Sequence, residues 1–307
     1  MNRALRIHAY GGSEVVHIDD VPLPKAADGE IVVRVHAAGI NPLDWKVRDG
    51  LMREVFPLTL PATLGIELAG EIVEIGAGVS GFAIGERVVG PLAGLGAFTD
   101  HVAIAASNLT LTPKDLDDVR AAAISVASLT AWQALFEAGA LKRGQTVLIH
   151  GAAGGVGSFA VQFARRIGAH VLCTAQGVNA GYLRALGANE VIDYRSSAFW
   201  EIAHDVDLVL DLVGGATLAH SWQVLGDNGR IVSTATPEVT TTATAGKRGI
   251  WFQMRPDPAR LAEIANLLAR GELSVEISET ASFDQTAAVI ERNKTGHGPG
   301  KAVITFG

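Results

Sequence analysis

The sequence predicts an α/β protein: a parallel sheet covered by helices, preceded by a region of short antiparallel strands. Three observations carry this prediction. The stretch Thr146–Gly157, TVLIHGAAGGVG, runs an apolar strand into a glycine-rich turn, which opens the amphipathic helix Ser158–Gly168. From there to Thr234, short apolar strands alternate with helical stretches. The first third has a different texture, with short strands separated by turns rich in Gly and Pro.

Each element can be justified in order. Glu30–Ala37, Leu68–Ile75 and Glu86–Gly90 read as strands. They are bounded by turns at Asp28-Gly29, Asn41-Pro42 and Gly76–Gly81, which suits a small antiparallel barrel or sandwich. Asp117–Gly139 turns helical and alanine-rich. After the glycine turn, His170–Thr174 is a second strand, and Asn179–Leu186 is a helix closed by Gly187. Glu190–Asp193 and Asp207–Asp211 are the third and fourth strands. The pair Gly214-Gly215 and a helical run to Leu225 follow, then Arg230–Thr234 as a fifth strand. Such alternation builds a parallel sheet with both faces covered. Thr234–Thr244 reads as a loop, Pro258–Arg270 as an amphipathic helix and Lys301–Phe306 as a strand. Composition leaves open which domain that strand joins.

Composition excludes several classes. The 307 residues are 48% hydrophobic and 19% charged, enough for one large or two moderate cores. A net charge of -7 and a pI near 5.7 offer no basic face for nucleic acid. No apolar run approaches the ~20 residues of a membrane span, and the N-terminus lacks the apolar stretch of a signal peptide. One cysteine, Cys173, allows no intrachain disulfide and suits a reducing cytoplasm.

The glycine turn is the informative motif. Gly151, Gly154, Gly155, Val156 and Gly157 are its candidate cofactor-binding residues. Glycines let the backbone turn tightly and approach a pyrophosphate, and a helix N-terminus offers free N–H groups to that anion. In an NAD site an acid about 20 residues on accepts the ribose 2′-OH. Here Thr174–Asn179, TAQGVN, fills that place, and no Asp or Glu occurs between Gly151 and Asn189. That absence favours NADPH. Thr174, Asn179 and Tyr194 are candidates near its phosphate; Arg184 is either another or a solvated helix residue.

Four further segments complete a pattern. Ala38–Gly50, AGINPLDWKVRDG, resembles the first active-site loop of the medium-chain dehydrogenase/reductases. Gly65–Val73, GIELAGEIV, resembles the strand where zinc-using relatives carry a His-Glu pair. Ser128–Leu135, SLTAWQAL, and Leu186–Tyr194, LGANEVIDY, resemble the entry helix and third strand of the cofactor domain. Together they resemble the zinc-independent, quinone oxidoreductase-like group. That resemblance implies a GroES-like β-barrel domain over residues 1–119 and 258–307 and a Rossmann domain over 120–257. Nicotinamide and substrate would meet in the cleft between them. It also implies Thr130 facing the nicotinamide, Phe252 and Gln253 on a strand passing the carboxamide, and a homodimer.

The residues bear on metal as well. One cysteine rules out a four-Cys zinc site. Asn41-Pro42 stands where zinc-using relatives have a catalytic Cys, Ile66 stands where they have His, and the nine histidines are scattered. No metal is expected. Without a Lewis acid, hydride transfer needs an electron-poor acceptor, which favours quinones and α,β-unsaturated carbonyls. The catalytic candidates lie on the first loop. Asn41 is either an oxyanion donor or ordinary turn chemistry. Lys46 is a proton donor or a solvated surface residue, at a position where several relatives have Tyr. Asp44 orients Lys46 or caps the turn, and Trp45 is a wall for a flat substrate or a packing residue. Two other readings remain: a non-catalytic NADPH-binding redox sensor, and an enoyl-thioester reductase using a basic patch among Arg48, Arg53 and Lys247-Arg248.

Overall fold

The computed structural model describes residues 1–243, 246–296 and 298–307. In chain order the first elements are β1 (Asn2–Ile7), β2 (Val16–Val21), β3 (Glu30–Gly39), α1 (Pro42–Arg48), β4 (Ala62–Thr63) and β5 (Glu67–Ile75). Next come β6 (Arg87–Pro91), β7 (His101–Ala105), β8 (Thr110–Leu111), α2 (Asp118–Ala122) and α3 (Ser125–Trp132). The α/β region contains β9 (Thr146–His150), α4 (Gly155–Arg166), β10 (His170–Ala175), α5 (Ala180–Leu186) and β11 (Glu190–Asp193). It continues with β12 (Val206–Asp211), α6 (Ala216–Val224), β13 (Leu225–Ser233) and β14 (Arg248–Trp251). The chain closes with α7 (Pro258–Ala269), β15 (Ile277–Ser282), α8 (Thr286–Thr295) and β16 (Lys301–Thr305).

These elements form two compact units, Met1–Val126 with Pro256–Gly307, and Ala127–Arg255. The expected boundaries were residues 119 and 257. The first unit extends further because α2 packs on β3, β5 and β16.

The first unit holds a three-stranded sheet, β2-β1-β4, and a larger one, β15-β16-β3-β5-β6-β8, with β7 also on β3. Neighbours pair antiparallel except β15 and β16. β3 reads EIVVRVHAAG and is buried along most of its length, as its Val and Ile content favours. Leu5, Ile31, Leu68, Ile72, Phe98 and Ile304 belong to one core cluster. The unit is the antiparallel GroES-like domain. The chain's final strand, unassigned from composition, joins it: β16 pairs β3 with Ile304 opposite Ala38.

The second unit carries a parallel sheet in the order β11-β10-β9-β12-β13-β14. Its central strands, such as VLIH of β9 and VLCTA of β10, are buried. Uninterrupted Val, Leu and Ile runs suit a sheet covered on both faces. This is a Rossmann fold, and the strand order reverses between β9 and β12, where such sheets bind ligands at the carboxyl ends of the strands.

Three details differ from the sequence expectation. Helix α4 begins at Gly155 rather than Ser158, so glycines occupy its first turn. The strand expected to carry Phe252 and Gln253 is β14, which ends at Trp251 just before them. The expected loop at 234–244 contains a short 3-10 turn, Pro237–Thr240, and its last residue, Thr244, lies outside the described residues.

Gly249 in β14 illustrates how tightly this edge is built. A Cβ there would stand 1.7 Å from the Val239 carbonyl oxygen. Gly249→Ala is expected to destabilise the protein by about 1–3 kcal/mol through overpacking, seen as a lower urea midpoint at unchanged slope.

Candidate functional site

The glycine turn sits at the carboxyl end of β9. Gly151 has φ +68°, a left-handed conformation that favours glycine. Gly154 is the N-cap of α4 with extended backbone, and its N–H donates to the Gly151 carbonyl at 3.1 Å. A Cβ on Gly157 would lie 2.5 Å from the Gly151 oxygen and 2.6 Å from Ala152 Cα, so only glycine lets the helix start lie against the turn. The first bond into the helix is Ser158 N–H to Gly154 O at 2.9 Å. The N–H groups of Gly155, Val156 and Gly157 precede it, without a capping side chain or an acid in the first turn. This uncapped, acid-free helix start fits a dinucleotide pyrophosphate.

Behind the turn lies a buried network that sequence reading missed. His150 closes β9, and its Nδ1 and Nε2 lie 2.8 Å from Thr174 Oγ1 and 3.0 Å from Ser221 Oγ. The Ser221 hydroxyl donates to the Thr217 carbonyl at 2.7 Å. Ser221 therefore accepts from Nε2–H, and Nδ1 accepts the Thr174 proton. Burial favours this neutral imidazole and pulls His150 down to about 4, against the charge of Asp211. Thr174, expected at the cofactor, is 4% exposed and its hydroxyl proton goes to His150. At the turn itself, Ala152 N–H reaches the Thr174 carbonyl at 3.4 Å.

At the ends of β10 and β11, Ala175 stands opposite Asp193 in register. Asn179 is partly exposed, and Tyr194 is 53% exposed. Arg184 is exposed on α5. The structure adds an acid that no residue of β10 supplies. A Cβ on Gly177 would stand 2.5 Å from Asp193 Oδ2, so this carboxylate overhangs the end of β10.

Asp211 closes β12 fully buried. Its Oδ1 accepts from the N–H groups of Val213 and Gly214, and its Oδ2 from Ser233 Oγ at 2.8 Å. Ser233 Oγ accepts in turn from Ala235 and Thr236 N–H. One carboxylate thus shapes the loops after β12 and β13. Phe252 continues β14, its N–H on the Ser233 carbonyl at 2.9 Å, and Gln253 is exposed. The turn, Asn179, Tyr194, Phe252 and Gln253 share the carboxyl edge of the sheet. Thr130 instead lies buried on α3.

In the first unit, Glu67 organises the loop residues. Its Oε1 accepts from Lys301 Nζ at 2.6 Å and Asn41 Nδ2 at 2.9 Å. Its Oε2 accepts from Ser125 Oγ and Val126 N–H, each at 2.8 Å. Lys301 Nζ also donates to Asn41 Oδ1 and the Ile40 carbonyl at 2.7 Å. The second Asn41 amide bond goes to the Gly39 carbonyl at 3.3 Å. Both Asn41 amide protons are therefore engaged inside the fold, as the turn reading of this residue expects.

Asp44 is 0% exposed, and its Oδ2 accepts the Asn41 backbone N–H at 2.7 Å. Of its two expected roles, orienting Lys46 or capping the turn, the structure shows the cap of α1. Burial pushes it up to about 7, while the Asn41 bond and Lys301 pull the other way. Lys46 is half-buried, its ammonium 5.7 Å from the Trp45 ring centre, and burial lowers its pKa. Arg48 is buried with Asp49 and Glu291, so it supplies no basic surface.

Two predictions follow from these buried charges. Lys301→Met leaves Glu67 without its cation and is expected to cost about 3–5 kcal/mol, with partial recovery in Lys301→Met/Glu67→Gln, read by denaturant melts. Asp44 has a raised folded pKa, so its contribution is complete below its unfolded value of 3.8 and is lost as pH rises through about 7. Asp44→Asn should remove that component, on the order of 4 kcal/mol, flattening stability between these pH values.

Among the described residues no group of three or more His, Cys, Asp or Glu is arranged to hold a metal ion. Ile66 is an apolar residue 8% exposed, and both oxygens of Glu67 are engaged.

Comparison with known proteins agrees with this architecture. The alcohol dehydrogenase GroES-like domain matches residues 27–114, and a zinc-binding dehydrogenase domain matches residues 186–304. The chloroplast envelope quinone oxidoreductase homolog of Arabidopsis thaliana is 30% identical over 98% of this chain and 97% of its own. The quinone oxidoreductase structure from Coxiella burnetii superposes with a TM-score of 0.93 at 30% identity, covering 99% of both chains. The Escherichia coli quinone oxidoreductase complexed with NADPH gives 0.89 at 27% identity, covering 99% of this chain and 100% of that one. A glycine turn at the switch point of a Rossmann sheet, a GroES-like unit and full-length similarity place this chain in the quinone oxidoreductase family of the medium-chain dehydrogenase/reductases.

Proposed function

We propose that this oxidoreductase transfers a hydride from a reduced nicotinamide dinucleotide to quinones or other α,β-unsaturated carbonyl compounds, without a metal. The observation that carries this reading is the glycine turn, with its left-handed Gly151, side-chain-free Gly157 and uncapped helix start at the carboxyl edge of the sheet. When bound, the reduced nicotinamide supplies the hydride.

The protein's residues bind, orient and protonate. The N–H groups of Gly155, Val156 and Gly157 would hold the pyrophosphate. Thr174 and His150 fix the turn, and Asp211 with Ser233 fixes the loops after β12 and β13. Lys46, with its lowered pKa, gives a proton to the carbonyl oxygen as negative charge develops there. Metal independence is supported by the donor chemistry: Ile66 offers no ligand atom, and Glu67 is saturated by Lys301, Asn41, Ser125 and Val126. With no strong polariser at the oxygen, acceptors that are already electron-poor are favoured. Support for NADPH comes from the NADPH complex of the E. coli relative and from the absence of acids between Gly151 and Asn189. Against it stands the carboxylate of Asp193. A homodimer is supported by β14, which ends the sheet with its outer edge unpaired among the described residues.

The test is consumption of NADH and NADPH with a panel of quinones and enones. Many turnovers per enzyme are expected, unaffected by a chelator. Cofactor binding without turnover on any acceptor overturns the reductase reading in favour of a sensor. Lys46→Met should lower kcat about a hundredfold or more with KM little changed. The wild-type kcat should fall as rising pH deprotonates Lys46, and the variant should lack that alkaline limb.

A further inference from the structure

We propose that Asp193 reads the 2′ position of the cofactor's adenosine ribose, accepting a hydrogen bond from the 2′-hydroxyl of NADH and repelling the 2′-phosphate of NADPH. The proposal rests on the nicotinamide reading above and concerns which form the site favours.

Four observations carry it. An acid that selects NAD acts at the carboxyl end of the second strand of the sheet, beside the glycine turn. That strand is β10, paired directly with β9. It ends in Ala175, with Gln176 and Gly177 following and no acid among them. Asp193 stands in register with Ala175 on the next strand outward. Its Oδ2 lies 2.5 Å from where a Gly177 Cβ would be, so the carboxylate occupies the place a side chain at 177 would take. The end of β10 is thereby acidic, and Gly177 there is exposed.

The carboxylate is also held. Asp193 Oδ1 accepts the Arg195 backbone N–H at 3.0 Å, and the Asp193 carbonyl accepts from Ser196 and Ser197 N–H at 3.1 and 2.9 Å. These bonds leave Oδ2 toward Gly177, and no ion pair neutralises Asp193 among the described residues. The segment 176–179 brings no cation: Gln176, Gly177, Val178 and Asn179 are all uncharged, and Val178 is 85% exposed. A 2′-phosphate there would meet a like charge, with Arg184 and Arg195 as the cations nearest in sequence, both exposed. Two like charges a few ångströms apart near a surface repel one another.

The test measures binding directly, so it does not depend on finding the right acceptor. Dissociation constants for NADH and NADPH are measured by calorimetry on the full chain and on Asp193→Asn, which keeps an oxygen for the Arg195 N–H. AMP and adenosine 2′,5′-bisphosphate serve as probes of the adenosine end alone. The wild type is expected to bind NADH at least as tightly as NADPH, with the difference narrowing at high salt. Asp193→Asn should raise the NADPH-to-NADH affinity ratio about tenfold or more, and the two adenosine probes should shift in parallel. Binding of both cofactors with the same ratio in wild type and variant overturns the role of Asp193 and leaves the reductase reading standing. Binding of neither cofactor overturns that reading, and this proposal with it. A thermal melt of Asp193→Asn matching the wild type excludes misfolding; if it does not match, Asp193→Ser replaces it under the same criteria.

Discussion

The N-terminal unit depends on one buried carboxylate. Glu67 is fully buried, and a charge in that position requires a cation and a donor for each lone pair. The fold meets this with groups from three distant places: Asn41 after β3, Ser125 and Val126 at the start of α3, and Lys301 on β16. Even the backbone is constrained, since a Cβ on Gly39 would stand 2.4 Å from Glu67 Oε1. The pairing of β16 with β3 is therefore electrostatic as well as apolar, and it draws the far end of the chain into the N-terminal sheet.

That constraint reaches the chemistry. Glu67 and the Gly39 carbonyl take the two amide protons of Asn41, so its side chain is committed to the fold. By capping α1 through Asp44, the loop fixes its own entry into the helix. Lys46 is the ionisable group of α1 that is left half-buried without an ion pair among the described residues. An ammonium seated beside the Trp45 ring and partly desolvated is a better acid than a solvated lysine, because burial penalises its charge. The same physics that closes the core thus also sets the acidity of Lys46.

The sequence made much of this legible and concealed the rest for identifiable reasons. Apolar strands and glycine turns located β9 to β13, and Gly187 correctly closed α5 with φ +112°. The polar helix α8, TAAVIERNKT, and the strand β15, ISETAS, gave little apolar signal and went unseen. In the site, glycines could be recognised because backbone geometry is written directly in residue type. Asn41 and Thr174 stayed ambiguous in the sequence because a polar residue near a glycine or proline turn looks the same whether its protons face outward or the core. Only the partners, Glu67 and His150, distinguish these cases, and both are remote or opposite in strand register.

Asp193 shows a related limit. Counting residues from the glycine turn treats the chain as the ruler, and along that ruler the end of β10 is free of acids. A parallel sheet uses another ruler. Residues 18 apart in sequence, Ala175 and Asp193, lie side by side because β10 and β11 are in register. Absence of a side chain at Gly177 then lets a carboxylate from β11 reach the position that β10 leaves empty. Charge at a ligand's edge is set by everything that arrives there, so the electrostatics of a strand end belong to the sheet and not to the strand.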